Sequence, residues 1–170
     1  MIVLVGMMGA GKSTVGRLLA ETLAVPFQDT DSMLELRLGR PTSQLFRLFG
    51  EDTFRDHESA ILRGLEPDEG VLATGGGIVL RDANWVEMRR LGPIVFLDVD
   101  SERLRERLRR SKRKRPLLER EDWETVVDSI LEARRPLYQK ADIKVDVDTE
   151  NFEQTIEKII EELQGLEAED

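Results

Sequence analysis

The 170-residue chain contains no cysteine, which excludes disulfide frameworks, Cys-ligated zinc and thiol catalysis. With His57 as the one histidine, a His-rich metal site and a Ser-His-Asp triad with a spare base are both disfavoured. No apolar run approaches the ~20 residues that span a bilayer. Met1 leads directly into Ile2-Val3-Leu4-Val5 with no basic leader, so we expect a cytoplasmic protein with no membrane association. Internal repeats, low-complexity linkers and Pro- or Ser-rich boundaries are also missing. One domain is expected at this length, able to bury roughly 70% of the surface that its unfolded chain exposes.

The formal net charge is −9, and its distribution is uneven. Residues 148–170 hold nine acids against Lys158, whereas residues 103–120 hold ten Arg or Lys against Glu106 and Glu119. An acidic protein with one concentrated basic segment is a poor nucleic-acid surface and a better local site for a small polyanion.

Short apolar runs that read as buried strands alternate with longer helical patterns. The runs are Ile2–Val5, Val25–Gln28, Val71–Thr74, Ile94–Asp98 and, more weakly, Ile143–Val147. Helical periodicity covers Lys12–Ala24, Asp31–Leu38, Ser43–Phe49, Phe54–Leu65, Ala83–Leu91, Ser101–Arg110 and Trp123–Lys140. A last helix starts near Asn151 and fades after Leu163 into a frayed acidic tail, 165–170. This alternation predicts an α/β fold with a parallel sheet covered on both faces. The segment Ser111–Glu121 breaks the pattern. Its Lys112-Arg113-Lys114-Arg115 run repels itself and Pro116 blocks helix continuation, so a mobile loop is expected there.

Gly6-Met7-Met8-Gly9-Ala10-Gly11-Lys12-Ser13 fits G-x-x-x-x-G-K-[ST] between a strand and an amphipathic helix. In that setting backbone N–H groups and the helix N-terminus face a phosphate chain, Lys12 reaches the β- and γ-phosphates, and Ser13 ligates Mg²⁺. The bland alternative, a glycine turn that merely permits packing, does not need Lys and Ser together. Two carboxylates compete for the metal side, Asp98 at the end of Ile94–Asp98 and Asp29 in Phe27-Gln28-Asp29-Thr30-Asp31. Sequence alone leaves them even.

Asp29 and Asp31 sit two apart at a strand end, where both can face one side. Such a pair can hold Mg²⁺ through water and accept a hydroxyl proton, or can simply cap a helix. Thr74-Gly75-Gly76-Gly77 follows a strand and exposes backbone N–H groups at the crevice edge where α/β sheets bind ligands. A flexible turn is the plainer reading. Arginines in apolar or turn contexts, in Phe54-Arg55, Arg115-Pro116-Leu117-Leu118 and Arg134-Arg135-Pro136-Leu137-Tyr138, suit bidentate clamping of carboxylate or phosphate.

Taken in order, the phosphate loop, Phe-x-Asp-x-Asp, Gly50-Glu51 with Phe54-Arg55 and Glu58, Thr-Gly-Gly-Gly, Arg-Pro-Leu-Leu and Arg-x-Pro-Leu-Tyr resemble the shikimate kinase family. The resemblance runs from Ile2 to about Leu163. It implies a three-layer P-loop kinase fold with a five-stranded parallel sheet in order 2-3-1-4-5. It also implies ATP-dependent phosphorylation of the 3-hydroxyl of shikimate with Mg²⁺, a step of aromatic amino-acid biosynthesis. By the same resemblance Gly9, Ala10, Gly11, Lys12, Ser13 and Thr14 bind ATP, and Asp29 joins Ser13 at the metal. Asp31 binds the acceptor hydroxyls and is the candidate base. Arg55 and Arg134 hold the shikimate carboxylate, and Gly76 and Gly77 supply backbone donors. Glu58 orients Arg55, while Phe46 and Phe54 line the pocket. Arg115 is the lid arginine over the transferred group, and Arg110 or Arg109 stacks on adenine, with residues near Asp148–Asn151 on its other side. The implied layout is one kinase domain with a core of 1–163, a substrate-binding helical region of about 31–62 and a lid of about 111–121.

The implied partners are shikimate and ATP, with no nucleic acid, and a monomer is the working expectation. Other readings are a gluconate or nucleoside monophosphate kinase, which shares the phosphate loop without needing the arginine pair. A non-catalytic ATP-binding module predicts decay of at least one of Lys12, Asp29, Asp31 and Arg115, yet all four are present.

Overall fold

The computed structural model describes residues 1–111, 116–147 and 151–169. Five strands, β1 Ile2–Val5, β2 Phe27–Asp29, β3 Val71–Ala73, β4 Ile94–Asp98 and β5 Ile143–Asp146, form one parallel sheet in the order β2-β3-β1-β4-β5. Helices α1 Lys12–Leu23, α2 Thr30–Leu38, α3 Thr42–Arg63, α4 Asp82–Leu91, α5 Ser101–Arg110, α6 Trp123–Tyr138 and α7 Phe152–Glu169 surround it. Val3, Leu4 and Val5 in the central strand are fully buried, as are Ile94 and Val95 beside them. Burial of each such side chain contributes about 1.5–3 kcal/mol, so the sheet centre is the main stabilising layer. Among the described residues, no helix is long and apolar enough to cross a membrane.

The expected elements are present, with most ends shifted by one or two residues and four differences that stand out. Strand β2 begins at Phe27 rather than Val25. Pro26 has no N–H for the ladder, and the Val25 N–H closes the end of α1 on the Ala20 carbonyl at 3.0 Å. The two helices expected at 43–49 and 54–65 are both present within the span α3, separated by a kink at Gly50, whose φ of 77° and ψ of 171° are non-helical and belong to glycine; the second begins earlier than expected, directly after that kink. A short 3₁₀ turn, Ile78–Leu80, follows the glycine run. Helix α7 does not fade after Leu163. It continues through Gly165 to Glu169, because Leu163 and Leu166 both pack on the main core and carry the apolar stripe onward.

Helices α2 and α3 share a second, smaller core of Leu34, Leu45, Phe54 and Ile61, with Met33 and Leu38 against it. This places the 31–62 helical region over the carboxyl end of the sheet with packing of its own. Of the expected lid, Lys112–Arg115 lie outside the described residues. Pro116–Glu119 form a 3₁₀ turn whose Leu117 and Leu118 pack on the main core.

Candidate active site

The carboxyl ends of β1, β2 and β3 open into a cleft of about 750 Å³. Its lining includes Gly9, Gly11, Lys12, Ser13 and Thr14 from the loop after β1, together with Asp29 and Asp31 after β2. It also includes Phe46, Phe54, Arg55 and Glu58 from α3, Gly76 and Gly77 after β3, and Arg134 from α6. The structure thus brings the two groups of sequence-predicted residues, phosphate side and acceptor side, into one space.

On the phosphate side, α1 starts at Lys12 behind Gly11, which has φ 94°. The Lys12 ammonium donates to the Gly6 and Met7 carbonyls at 2.7 and 2.9 Å and is 8% exposed. Its charge is therefore held at the loop with little water to screen it. Ala10 is buried, and its carbonyl accepts from Arg107 Nη1 at 3.2 Å.

Asp29 has two duties, one per oxygen. Oδ1 caps α2 by accepting from the Asp31 and Ser32 N–H groups at 3.0 and 3.2 Å. Oδ2 accepts from the Ser13 hydroxyl at 2.6 Å. The capping reading and the metal-side reading of this residue are thus compatible. Asp98, its rival, is 7% exposed and already neutralised. Arg135 Nη1 donates to its two oxygens at 2.7 and 2.6 Å, and Lys144 Nζ lies 3.3 Å from Oδ2. Ser13 and Asp29 are two hard oxygen donors side by side, a pair that suits Mg²⁺ completed by phosphate and water. No cluster of three or more His, Cys, Asp or Glu suited to a metal exists among the described residues.

On the acceptor side, Arg55 is 9% exposed and pairs with Glu58 Oε2 at 2.6 Å and, at 3.4 Å, with Glu51 Oε1. Its guanidinium lies 5.4 Å from the Phe54 ring centre and 5.9 Å from that of Phe46. Glu58 is fully buried, and burial pushes its carboxyl above the ordinary value of 4.5, with Arg55 opposing the rise. Arg55 Nε and Glu58 Oε1 are buried without a protein partner. Both are unspent hydrogen-bonding capacity inside the cleft wall. Across the cleft, Arg134 Nη1 donates to the Gly76 carbonyl at 3.2 Å, and Tyr138 donates its hydroxyl to the same oxygen at 2.6 Å.

At its two ends, Gly75 and Gly77, the glycine run leaves no room for a side chain unless charged neighbours shift. A β-carbon on Gly75 would stand 2.6 Å from Glu58 Oε1 and 2.9 Å from Asp31 Oδ1, and one on Gly77 would overlap the Arg55 guanidinium. Three charged side chains press against this backbone, which a flexible turn does not require.

Several residues at the site escaped the sequence reading. Arg107, not Arg110, is the α5 arginine that reaches the phosphate loop. It lines the cleft and stands over the Phe152 ring at 5.8 Å, whereas Arg110 pairs with Glu106 and Arg109 with Glu124 beside Trp123. The usable signal was the buried pair Leu104 and Leu108, whose helical face is flanked by 105 and 107 and not by 110. Thr30 and Arg120 were missed as well. Arg115 and Asp148 lie outside the described residues, and Asn151 accepts from the Glu153 N–H at 3.0 Å.

A family model described as shikimate kinase matches residues 8–164. A shikimate kinase of Thermodesulfovibrio yellowstonii is 40% identical over 166 residues, covering 97% of this chain and 95% of that protein. One from Pseudomonas entomophila is 43% identical over 167 residues, with 97% and 96% covered. Among solved structures, shikimate kinase from Acinetobacter baumannii in complex with shikimate matches with a TM-score of 0.90 at 36% identity, covering 96% of this chain and 92% of that one.

Proposed function

The chain belongs to the shikimate kinase family, and from that premise we propose that it transfers the γ-phosphoryl group of ATP to the 3-hydroxyl of shikimate. The observation that carries this reading is the single cleft. Its lining holds Lys12 and Ser13 on one side and Asp31, Arg55, Glu58, Gly77 and Arg134 on the other. A phosphate loop alone leaves the acceptor open. Two arginines with an aspartate between them and the loop select a small hydroxy-acid, gripped by its carboxylate at one end and its hydroxyls at the other.

Phosphoryl transfer needs alignment and charge neutralisation more than covalent help. Lys12, fixed by the Gly6 and Met7 carbonyls, presents its ammonium to the β- and γ-phosphates. Gly9, Ala10, Gly11 and Thr14 shape the loop around them. Ser13 and Asp29 would hold Mg²⁺, which when bound would supply positive charge to neutralise the phosphates. Asp31, in the first turn of α2, accepts the proton of the attacking hydroxyl. Arg55 and Arg134 close on the carboxylate from α3 and α6, and Glu58 keeps the Arg55 guanidinium turned inward. Phe46 and Phe54 supply the apolar wall that keeps those charges poorly hydrated. Arg115 supplies positive charge to the transferred group, and on α5 Arg107, rather than Arg109 or Arg110, is the arginine that faces the nucleotide. The chain acts as one kinase domain and as a monomer.

ADP release from Mg-ATP, followed with and without shikimate, tests the proposal. Turnover that depends on shikimate and exceeds that with gluconate or a nucleoside monophosphate is the expected outcome. Equal ADP release with and without shikimate sinks it.

A further inference from the structure

The glycine run carries a second layer of residues that nothing in the catalytic reading uses. Thr30 is fully buried between Asp29 and Asp31, and its Oγ1 accepts from the Gly75 N–H at 2.9 Å. From the opposite side Tyr138, also fully buried, donates to the Gly76 carbonyl at 2.6 Å, and its ring is stacked on Phe96 at 5.1 Å and 18°. The loop is therefore tied at two consecutive residues by two hydroxyls from different elements.

The peptide unit turns these ties into a statement about direction. A trans peptide is planar, so the N–H of Gly77 points opposite to the C=O of Gly76. With that carbonyl drawn toward α6 by Tyr138 and Arg134, the Gly77 N–H faces away from α6. The Arg55 guanidinium lies on the α3 side, against Gly77. Gly75 spends its own N–H on Thr30. The N–H groups of Gly76 and Gly77 donate to no acceptor among the described residues, so they are the loop's two unspent donors.

We propose that Tyr138 and Thr30 are positioning residues that preset the Gly76 and Gly77 N–H groups for the acceptor. This rests on the functional reading above and deepens it. Tyr138 has a further effect through Arg134. Because the tyrosine holds Gly76 by itself, Arg134 can turn its guanidinium to the acceptor carboxylate without leaving the carbonyl unsupported. Burial also pushes the Tyr138 hydroxyl above its ordinary value of 10.0, so it stays a donor across the working pH range.

The test compares wild type with Tyr138→Phe, Thr30→Val and Thr30→Ser in steady-state kinetics, varying each substrate in turn. Phe keeps the stack on Phe96 and removes only the hydroxyl, and Val keeps the shape of Thr while removing the acceptor. The KM for shikimate is expected to rise about three- to tenfold in Tyr138→Phe and Thr30→Val, the worth of one hydrogen bond. The KM for ATP stays within about twofold, and Thr30→Ser restores the wild-type value. Glycine amide resonances of the labelled protein, titrated with shikimate, report whether the Gly76 and Gly77 N–H groups shift in wild type and shift less in the variants. If Thr30→Val melts early, Tyr138→Phe decides. An active wild type with unchanged shikimate KM in the variants overturns this inference alone. A parallel rise in both KM values also overturns it, as general loosening. A wild type without shikimate-dependent turnover overturns the functional reading and takes this one with it.

Discussion

Glu58 is the side chain at which burial and charge are most nearly opposed. Desolvation raises its pKa while Arg55, 2.6 Å away, pulls it down, and the net direction is upward from 4.5. As pH falls toward that raised value, Glu58 loses its charge and Arg55 loses the partner that orients it. The kcat/KM for shikimate is therefore expected to show an acid limb above the ordinary carboxylate range, with the corresponding value for ATP much flatter. Glu58→Gln should flatten the limb, and a profile unchanged by that substitution would place the titrating group elsewhere. For stability the sign is reversed. The folded chain holds this proton more tightly than the unfolded chain, so the contribution of Glu58 is fully present below 4.5 and is lost as pH rises through the raised folded value. The site residue thus favours activity on the side of pH where it disfavours the fold, a trade that buried functional carboxylates often make.

At the scale of elements, the turn from β2 into α2 and the end of β4 explain why one aspartate serves chemistry and the other structure. Asn retains the capping oxygen that Asp29 offers to α2, since Asn and Asp are near equals at a helix N-cap. Asp29→Asn should therefore leave Tm within a few degrees while lowering kcat by about a hundredfold, a loss of the size seen when a charge-stabilising group is removed from a site. Asp98→Asn should do the opposite. It takes the charge from under Arg135 and Lys144, which is expected to lower Tm by roughly 3–10 °C with kcat little changed. Thermal melts and initial rates on the two variants separate these roles, and a reversed pattern would return the metal side to Asp98.

The order of the elements and the site motifs were legible in the chain itself because apolar runs, phosphate loop and glycine run are local patterns. Distance relations were not. The even choice between Asp29 and Asp98 depended on Arg135 and Lys144, which reach Asp98 from α6 and β5. Thr30 and Tyr138 each look like ordinary members of their segments until the fold sets both hydroxyls on one glycine loop. The break between the two helices around Gly50 was legible too, because a glycine between two apolar helical patterns marks a kink, here with φ 77°.

Across the whole molecule, the α5 part of the basic segment is largely engaged by local partners. Arg103 pairs with Asp100, Arg105 with Asp128, Arg109 with Glu124 and Arg110 with Glu106, which leaves α5 a laced surface. The sheet order has a separate consequence, in the time course of synthesis. The strand that leads into the phosphate loop comes first in the chain but sits in the middle of the sheet, with Ile2 opposite Val71 and Val3 opposite Ile94. Both neighbours of β1 lie roughly 70 and 90 residues downstream, separations that make loop closure slow to repay its entropy. A nascent chain that ends before Val71 has a complete nucleotide-binding motif and no sheet on which to hold it. Such a fragment is expected to show no ATP-dependent protection from protease, whereas the full chain shows it, so the phosphate loop is made well before the strands that let it work.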